Sequence, residues 1–326
     1  MRITAPPANL ISAQFGRTVA TLRENITHTA EEATTGRYAD LTSRMSGRIG
    51  TAMLSQKAVD DIAARREQLS LREGRLEIVQ RSMTLIHERV AGIDTNMYDA
   101  LASGNELSQS LAARDAEAAL GNVFSYLNVR SGERFLFAGD ETATQPLANP
   151  DDLLADIRNL ADTAIDSADF AASLDTYFNT PGGGWQTNIL KSAAATSDRD
   201  GVTANDPAIV ELISGLALVA LSDPKNSPAL FKADPGMALS GAERLTSGLV
   251  SLTSVRADRG VIQEQIETEK TSLDVEETIF TTALNSLSAR DQFEAITALK
   301  HLETTLEASY LLTSRLSSLT LLNFLR

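Results

Sequence analysis

The residue types that could do chemistry in this chain are few and scattered. Three histidines, His28, His87 and His301, could serve as general bases or metal ligands. Each lies among helix-surface residues and reads as solvated or packed rather than catalytic. The carboxylates Glu264, Glu267, Glu269, Glu276 and Glu277 follow an amphipathic beat, the mark of a solvated helix face rather than of a paired-carboxylate site. Gly182-Gly183-Gly184 would suit a phosphate cradle if a strand preceded it and Lys-Ser/Thr followed. Trp185-Gln186-Thr187-Asn188 follows instead, which reads as a loop. Ser251, Ser317 and Ser318 lack His and Asp partners in a recognisable motif. Arg65, Arg66, Arg72, Arg75 and Arg81 alternate with Asp60, Asp61, Glu67, Glu73 and Glu77, a salt-bridged helix face rather than a nucleic-acid patch. The chain has no cysteine, which excludes disulfides, thiolate metal sites and a cysteine nucleophile. No catalytic, metal or cofactor site is expected, and the chain is not read as an enzyme.

Charge narrows the partners. The formal net charge over 326 residues is −14, the reverse of a nucleic-acid footprint and unfavourable at an anionic membrane surface. No run of 18 apolar residues occurs, so no membrane insertion is expected. The start Met1-Arg2-Ile3-Thr4-Ala5-Pro6-Pro7 leads into no apolar run and is not expected to be a Sec-type signal.

What the chain does have is a seven-residue apolar beat in two distant places. The first series is Ile62, Leu69, Leu76, Met83, Val90 and Met97, seconded by Val79, Ile86, Ile93 and Ala100. The second is Leu245, Leu252, Arg259, Ile266, Leu273, Phe280 and Leu287, with Arg259 as the one break. Two turns of a slightly underwound helix bring every seventh residue to one face, the seam of a coiled coil. Leu69, Leu76, Met83, Val90, Ile266 and Leu273 are the candidate seam residues. Shorter stripes mark both ends: Phe15, Val19, Leu22 and Ile26, then Leu302, Leu306 and Leu316, broadened by Leu319 and Leu322. Such stripes need cover, from each other and from partners.

Seven of the nine prolines lie between 138 and 240, and proline breaks helix interiors. The fold expected is mainly α: a long antiparallel helical coiled-coil rod formed by N- and C-terminal arms, with a small α+β insertion at the tip. Its domains are 1–40 plus 290–326 as terminal arms, 41–148 plus 240–289 as a helical rod with a short β segment, and 149–239 as the insertion. One helix is expected over about 51–102 and another over about 106–130. A short strand is expected at 135–137, one or two more over 185–203, and a helix at 208–221.

Four segments together resemble the flagellin superfamily, and within it the hook–filament junction family of bacterial flagella. They are Met1-Arg2-Ile3-Thr4, Thr34-Thr35-Gly36-Arg37, the run from Phe135 through Gly139 to Leu147, and Ser318-Leu319-Thr320-Leu321-Leu322-Asn323-Phe324-Leu325. The similarity covers about 1–148 and 240–326. Ala39-Asp40-Leu41-Thr42 departs from the acidic run common among relatives, and the final Leu325-Arg326 is similar to flagellins proper. The resemblance implies an extracellular structural protein of the flagellum, exported by the flagellar type III apparatus. Its implied partners are the first hook-associated protein, flagellin, copies of itself in a ring, and a cytoplasmic export chaperone on the C-terminal arm. The stripes Phe15 to Ile26 and Leu302 to Leu322 are then the subunit-assembly residues. The alternatives are flagellin itself, or a secreted coiled-coil adhesin or effector.

Overall fold

The structure is a computed structural model that describes the backbone of residues 8–40 and 49–324 and the side chains of residues 14–40 and 49–315. It is predominantly helical, and it divides into two compact units, one of Met1–Arg66 with Thr271–Arg326 and one of Glu67–Lys270.

The first unit is built on α1 (Ala8–Thr35) and α10 (Gln292–Phe324), with the start of α2 (Ile49–Val90) and the end of α9 (Gly236–Ser288). α1 packs along α10. The two run antiparallel, because the end of α1 meets the start of α10 while Arg23 reaches Tyr310, its Nε donating to the phenol oxygen at 3.0 Å. α1 stops at Gly36, whose φ of 67° closes the helix in the left-handed region. Asp291 opens α10, its carboxylate accepting from the N–H groups of Phe293 at 2.8 Å and Glu294 at 3.3 Å.

The second unit carries the buried core. α2 ends at Val90, and α3 (Ile93–Ser103) restarts after Gly92, whose φ is 87°. The helix expected over 51–102 is therefore broken once. The seven-residue beat runs across the break from Val90 to Met97, so the apolar pattern alone conceals it. Gly104 and Asn105 turn the chain into α4 (Glu106–Leu127). A two-residue hairpin follows, β1 (Arg130–Ser131) with β2 (Arg134–Phe135), in the register Arg130↔Phe135 and Ser131↔Arg134. Prolines then mark helix starts as well as breaks: α5 (Pro150–Thr163) and α7 (Pro207–Ala220) both open on proline, where the missing N–H costs nothing. Between them lies α6 (Ser167–Asn179), and after them α8 (Ala229–Ala233) leads into α9.

The strands expected over 185–203 are not formed. Residues Trp185–Ile189 make a single π-helical turn. Trp185 is wholly buried, with its indole Nε1 donating to Asn205 Oδ1 at 2.9 Å. Beyond it, only an isolated bridge joins Leu190 to Leu147. One large ring anchors this stretch, so it needs no alternating strand face.

α7 is apolar on nearly every side, Glu211 apart, and buried over most of its length, as a helix surrounded by others must be. It packs on α4 and against α9 through glycines. A Cβ on Gly215 would come within 2.7 Å of Leu245 N, and one on Gly248 within 2.8 Å of Leu212 Cα and N. The backbones of α7 and α9 therefore touch where only glycine allows it.

Candidate assembly surfaces

The seam residues Leu69, Leu76, Met83, Val90 and Ile266 are buried, while Leu273 is half-buried. Cross-helix polar pairs set the antiparallel register of α2 and α9. In the first unit Arg66 meets Asp274 at 3.0 Å and Glu277 at 2.6 Å. In the second, Lys270 meets Glu73 at 2.9 Å, and Gln80 donates to the Arg256 carbonyl at 2.8 Å. Arg66 thus finds its carboxylates on another helix rather than on its own. The along-helix pairing expected from the sequence is seen at Lys57–Asp61, whereas Arg66 and Arg72 bond across. Arg259, the break in the second stripe, is half-buried and donates to the Arg199 carbonyl at 3.0 Å.

The arm stripes are covered on one side only. Phe15, Val19, Leu22, Ile26, Leu302 and Leu306 are half-buried between α1 and α10. The side chains of Leu316, Leu319 and Leu322 lie outside the described residues. On the outer face of α10, Phe293 is 80% exposed and Leu311 66%.

Where the two arms begin, a polar joint ties them. The N–H of Tyr38 donates to the Ser288 carbonyl at 3.1 Å, and that of Arg290 to the Gly36 carbonyl at 2.9 Å. Glu32 accepts the Ala39 N–H at 3.1 Å and faces Arg290 at 3.3 Å. The Arg290 guanidinium lies over the Tyr38 ring, 4.9 Å from its centre. The Thr34–Arg37 motif was legible as a helix stop, but its partner at 288–291 was not, because 250 or so residues separate them.

A cavity of about 420 Å³ opens in the second unit between α2, the hairpin and the 196–202 loop. Asp200 chelates Arg72 there, bonding to Nε and Nη2. That bond, with burial opposing it, holds the Asp200 carboxyl below its ordinary range. Asp140 accepts the backbone N–H of Ser197 at 2.7 Å and its hydroxyl at 2.8 Å, which also lowers its carboxyl. Gly139 sits so close to the same loop that a Cβ would lie 2.3 Å from the Ala195 carbonyl.

The chemical candidates from the sequence remain apart. His28 and His301 are exposed and His87 is half-buried. Gly183 and Gly184 pack against Tyr177, where a Cβ on Gly184 would meet the ring at 2.1 Å; close packing, not phosphate, accounts for them. Burial, together with its bond to Asp156, pushes the Tyr177 phenol far up. Among the described residues no three His, Asp or Glu side chains gather as metal ligands, and no helix is long and apolar enough to cross a membrane.

Residues 243–325 match the family model of the bacterial flagellin C-terminal helical region. The match spans the C-terminal quarter of the chain, most of α9 and all of α10. No curated protein sequence matches the chain. Among solved structures, FlgL of Bacillus cereus is similar at 13% identity and a TM-score of 0.47, over 72% of this chain and 99% of that one.

Proposed function

We propose that the chain is a structural axial protein of the bacterial flagellum, of the type that joins the hook to the filament. The observation that carries the reading is the flagellin-type region over 243–325, whose last helix pairs with α1 and leaves an apolar outer face. An uncovered stripe on a paired arm is what a subunit needs in order to pack beside its copies. In this reading residues 1–40 and 290–326 form the inner layer of a tube, 41–148 with 240–289 the next shell, and 149–239 points outward. Phe15, Val19, Leu22, Ile26, Leu302, Leu306, Leu316, Leu319 and Leu322 are the assembly residues, and the seam from Leu69 to Val90 with Ile266 and Leu273 holds the shell behind them. The partners are the first hook-associated protein on one side, flagellin on the other, and further copies in a ring. A cytoplasmic chaperone covers the C-terminal arm before type III export to the cell exterior. The role is mechanical and involves no catalysis.

The test is electron microscopy of purified protein added to hook seeds carrying the first hook-associated protein, and to flagellin seeds. A short collar that flagellin then extends is the expected result. Long filaments of this protein alone would make it flagellin instead, and addition to neither seed would leave the secreted adhesin or effector. Leu306→Asp should abolish the collar while the far-ultraviolet helix signal stays.

A further inference from the structure

Residues 191–201 contain no apolar side chain larger than alanine, and among them only Asp200 is buried. Burial of apolar surface, the main driving force of folding, does little to hold such a segment in place. Its flanks are the reverse. Leu190, Val202 and Ala204 are buried, the Lys191 N–H donates to the Pro146 carbonyl at 2.8 Å, and the Ala204 N–H donates to the Phe137 carbonyl at 2.9 Å. Both ends are anchored in the core, while the middle lies on the surface of the second unit.

What holds the middle is polar and comes from three elements. On α2, Arg72 chelates Asp200, its Nη2 donating at 2.6 Å. On α9, Arg259 donates to the Arg199 carbonyl at 3.0 Å. In the turn after the hairpin, Asp140 accepts the N–H and the hydroxyl of Ser197 at 2.7 and 2.8 Å, and its own N–H donates to the Ala195 carbonyl at 3.3 Å. The middle is also tied to itself. The Asp198 N–H donates to Thr196 Oγ1 at 3.1 Å, the Asp200 N–H to Asp198 Oδ1 at 3.0 Å, and the Gly201 N–H to the Asp198 carbonyl at 3.0 Å. These inner bonds survive when the outer ones break, so residues 196–201 keep their shape and move as a body. One side of that body borders the cavity of about 420 Å³ rather than packed side chains.

We infer that residues 191–201 are a strap that lifts off the cavity as one unit while α2 and α9 stay folded, with Asp140 and Asp200 as its two fasteners. A segment with few buried apolar contacts and exposed hydrogen bonds opens locally at far lower cost than the core beside it. Both fasteners are charged at neutral pH, since their hydrogen bonds hold the two carboxyls below the ordinary range. Asp200 is faced by Arg72 and Arg75 of α2 and by Arg259 of α9. Arg134 of the hairpin and Asp198 of the strap line the same cavity, and Glu269 of α9 also acts on Arg72. Lifting takes Asp198 and Asp200 out of this set and leaves the arginines behind. The open state therefore bares Leu76 and Val79 beside a released Arg72, an apolar and basic surface that the closed protein withholds.

Hydrogen exchange of the full-length protein, read amide by amide by nuclear magnetic resonance, tests the strap. The N–H groups of Ser197, Asp200 and Gly201 should exchange through one shared opening, far faster than the seam amides of Leu76, Met83 and Leu252. Asp200→Asn and Asp140→Ala should each speed all three by roughly tenfold, the effect of losing one charge-assisted bond, and leave the seam unchanged. Asp140 is exposed, so Asp140→Ala keeps the fold even if Asp200→Asn does not. Asp140→Cys with Ser197→Cys, in a chain with no other thiol, adds a reversible lock, because the two side chains already meet and a disulfide needs Cα atoms within about 7 Å. Oxidation should slow exchange at Asp200 and Gly201, and reduction should reverse it. Strap amides as slow as the seam, a variant that speeds only the amide it touches, or equal acceleration of strap and seam overturns the inference. So does an oxidised lock that leaves Asp200 and Gly201 unchanged, or a cysteine pair that does not oxidise. None of these readouts requires assembly, so the strap stands or falls apart from the flagellar reading.

Discussion

Gly248→Ala sets two effects of opposite sign against each other. An alanine in a helix interior is favoured over glycine by about 1 kcal/mol, so on propensity alone α9 should gain. Packing opposes this. The new methyl would lie 2.8 Å from both Cα and N of Leu212, where carbon contacts settle at about 3.5–4.0 Å. Those are backbone atoms of a buried helix and cannot rotate away. α7 must back off by about 0.7 Å or more, loosening its contacts along the crossing. Overpacking of this kind costs about 1–3 kcal/mol, and a contact with backbone belongs in the upper part of that range. The net expectation is a loss of about 1–2 kcal/mol after the propensity gain is subtracted. Gly74→Ala is the control, because nothing lies within 4 Å of the added Cβ; it should gain up to about 1 kcal/mol. Urea unfolding followed by circular dichroism reads both, and with a slope of about 2–3 kcal/mol per molar the first midpoint should fall by about half a molar. A Gly248→Ala midpoint at or above wild type, with Gly74→Ala raised as expected, would refute the claim that α7 and α9 are held at backbone contact.

Two further outcomes follow from the ion pairs. Asp200→Asn should cost about 1–2 kcal/mol near neutral pH, less than a fully buried pair because Arg72 keeps 36% of its side-chain surface in water. Since the folded state holds the Asp200 carboxyl low, its stabilisation is complete above the ordinary carboxylate range near 4 and is lost as pH falls through the lowered value. Urea midpoints of wild type and variant should therefore converge at acid pH, and a gap as wide at pH 3 as at pH 7 would contradict the pairing. In the arm joint, Glu32→Gln should weaken a charge-assisted contact by about 1–2 kcal/mol, speeding amide hydrogen exchange at Tyr38 and Arg290 roughly tenfold; unchanged protection there would mean that the backbone bonds alone hold the joint.

The sequence announced the helices well where local chemistry marks their ends. Thr35-Gly36, Gly104-Asn105, Asn149-Pro150 and Asp206-Pro207 are all caps or starts that need no tertiary information. It announced the seam because burial along α2 and α9 repeats every seven residues. It misled at Gly92, where one glycine costs only about 1 kcal/mol in a helix and the apolar beat passes over it unbroken. It misled again after Trp185, where the local residues permit a strand but long-range bonds, such as Ala204 N–H to the Phe137 carbonyl at 2.9 Å, leave the chain irregular. Asp200 was invisible because its partner lies 128 positions away.

The arms and the second unit solve opposite problems with the same residue types. Between Leu69 and Met97 the stripe is closed off from water on every side, and burial of that kind supplies most of a helix's stability in a folded protein. In α1 and α10 the stripe is only half covered, with Phe293 and Leu311 facing water. An incomplete apolar seam cannot by itself fix how two helices slide along each other, because a shifted pairing buries nearly as much. The polar joint can. The paired N–H and carbonyl groups of residues 36–38 and 288–290, with Glu32 and Arg290 facing one another, are satisfied in one register only. Fixing the register with hydrogen bonds at one end leaves the apolar face free along the rest. That division of labour is what a subunit requires if its arms are to be aligned before their outer face is covered by a neighbour.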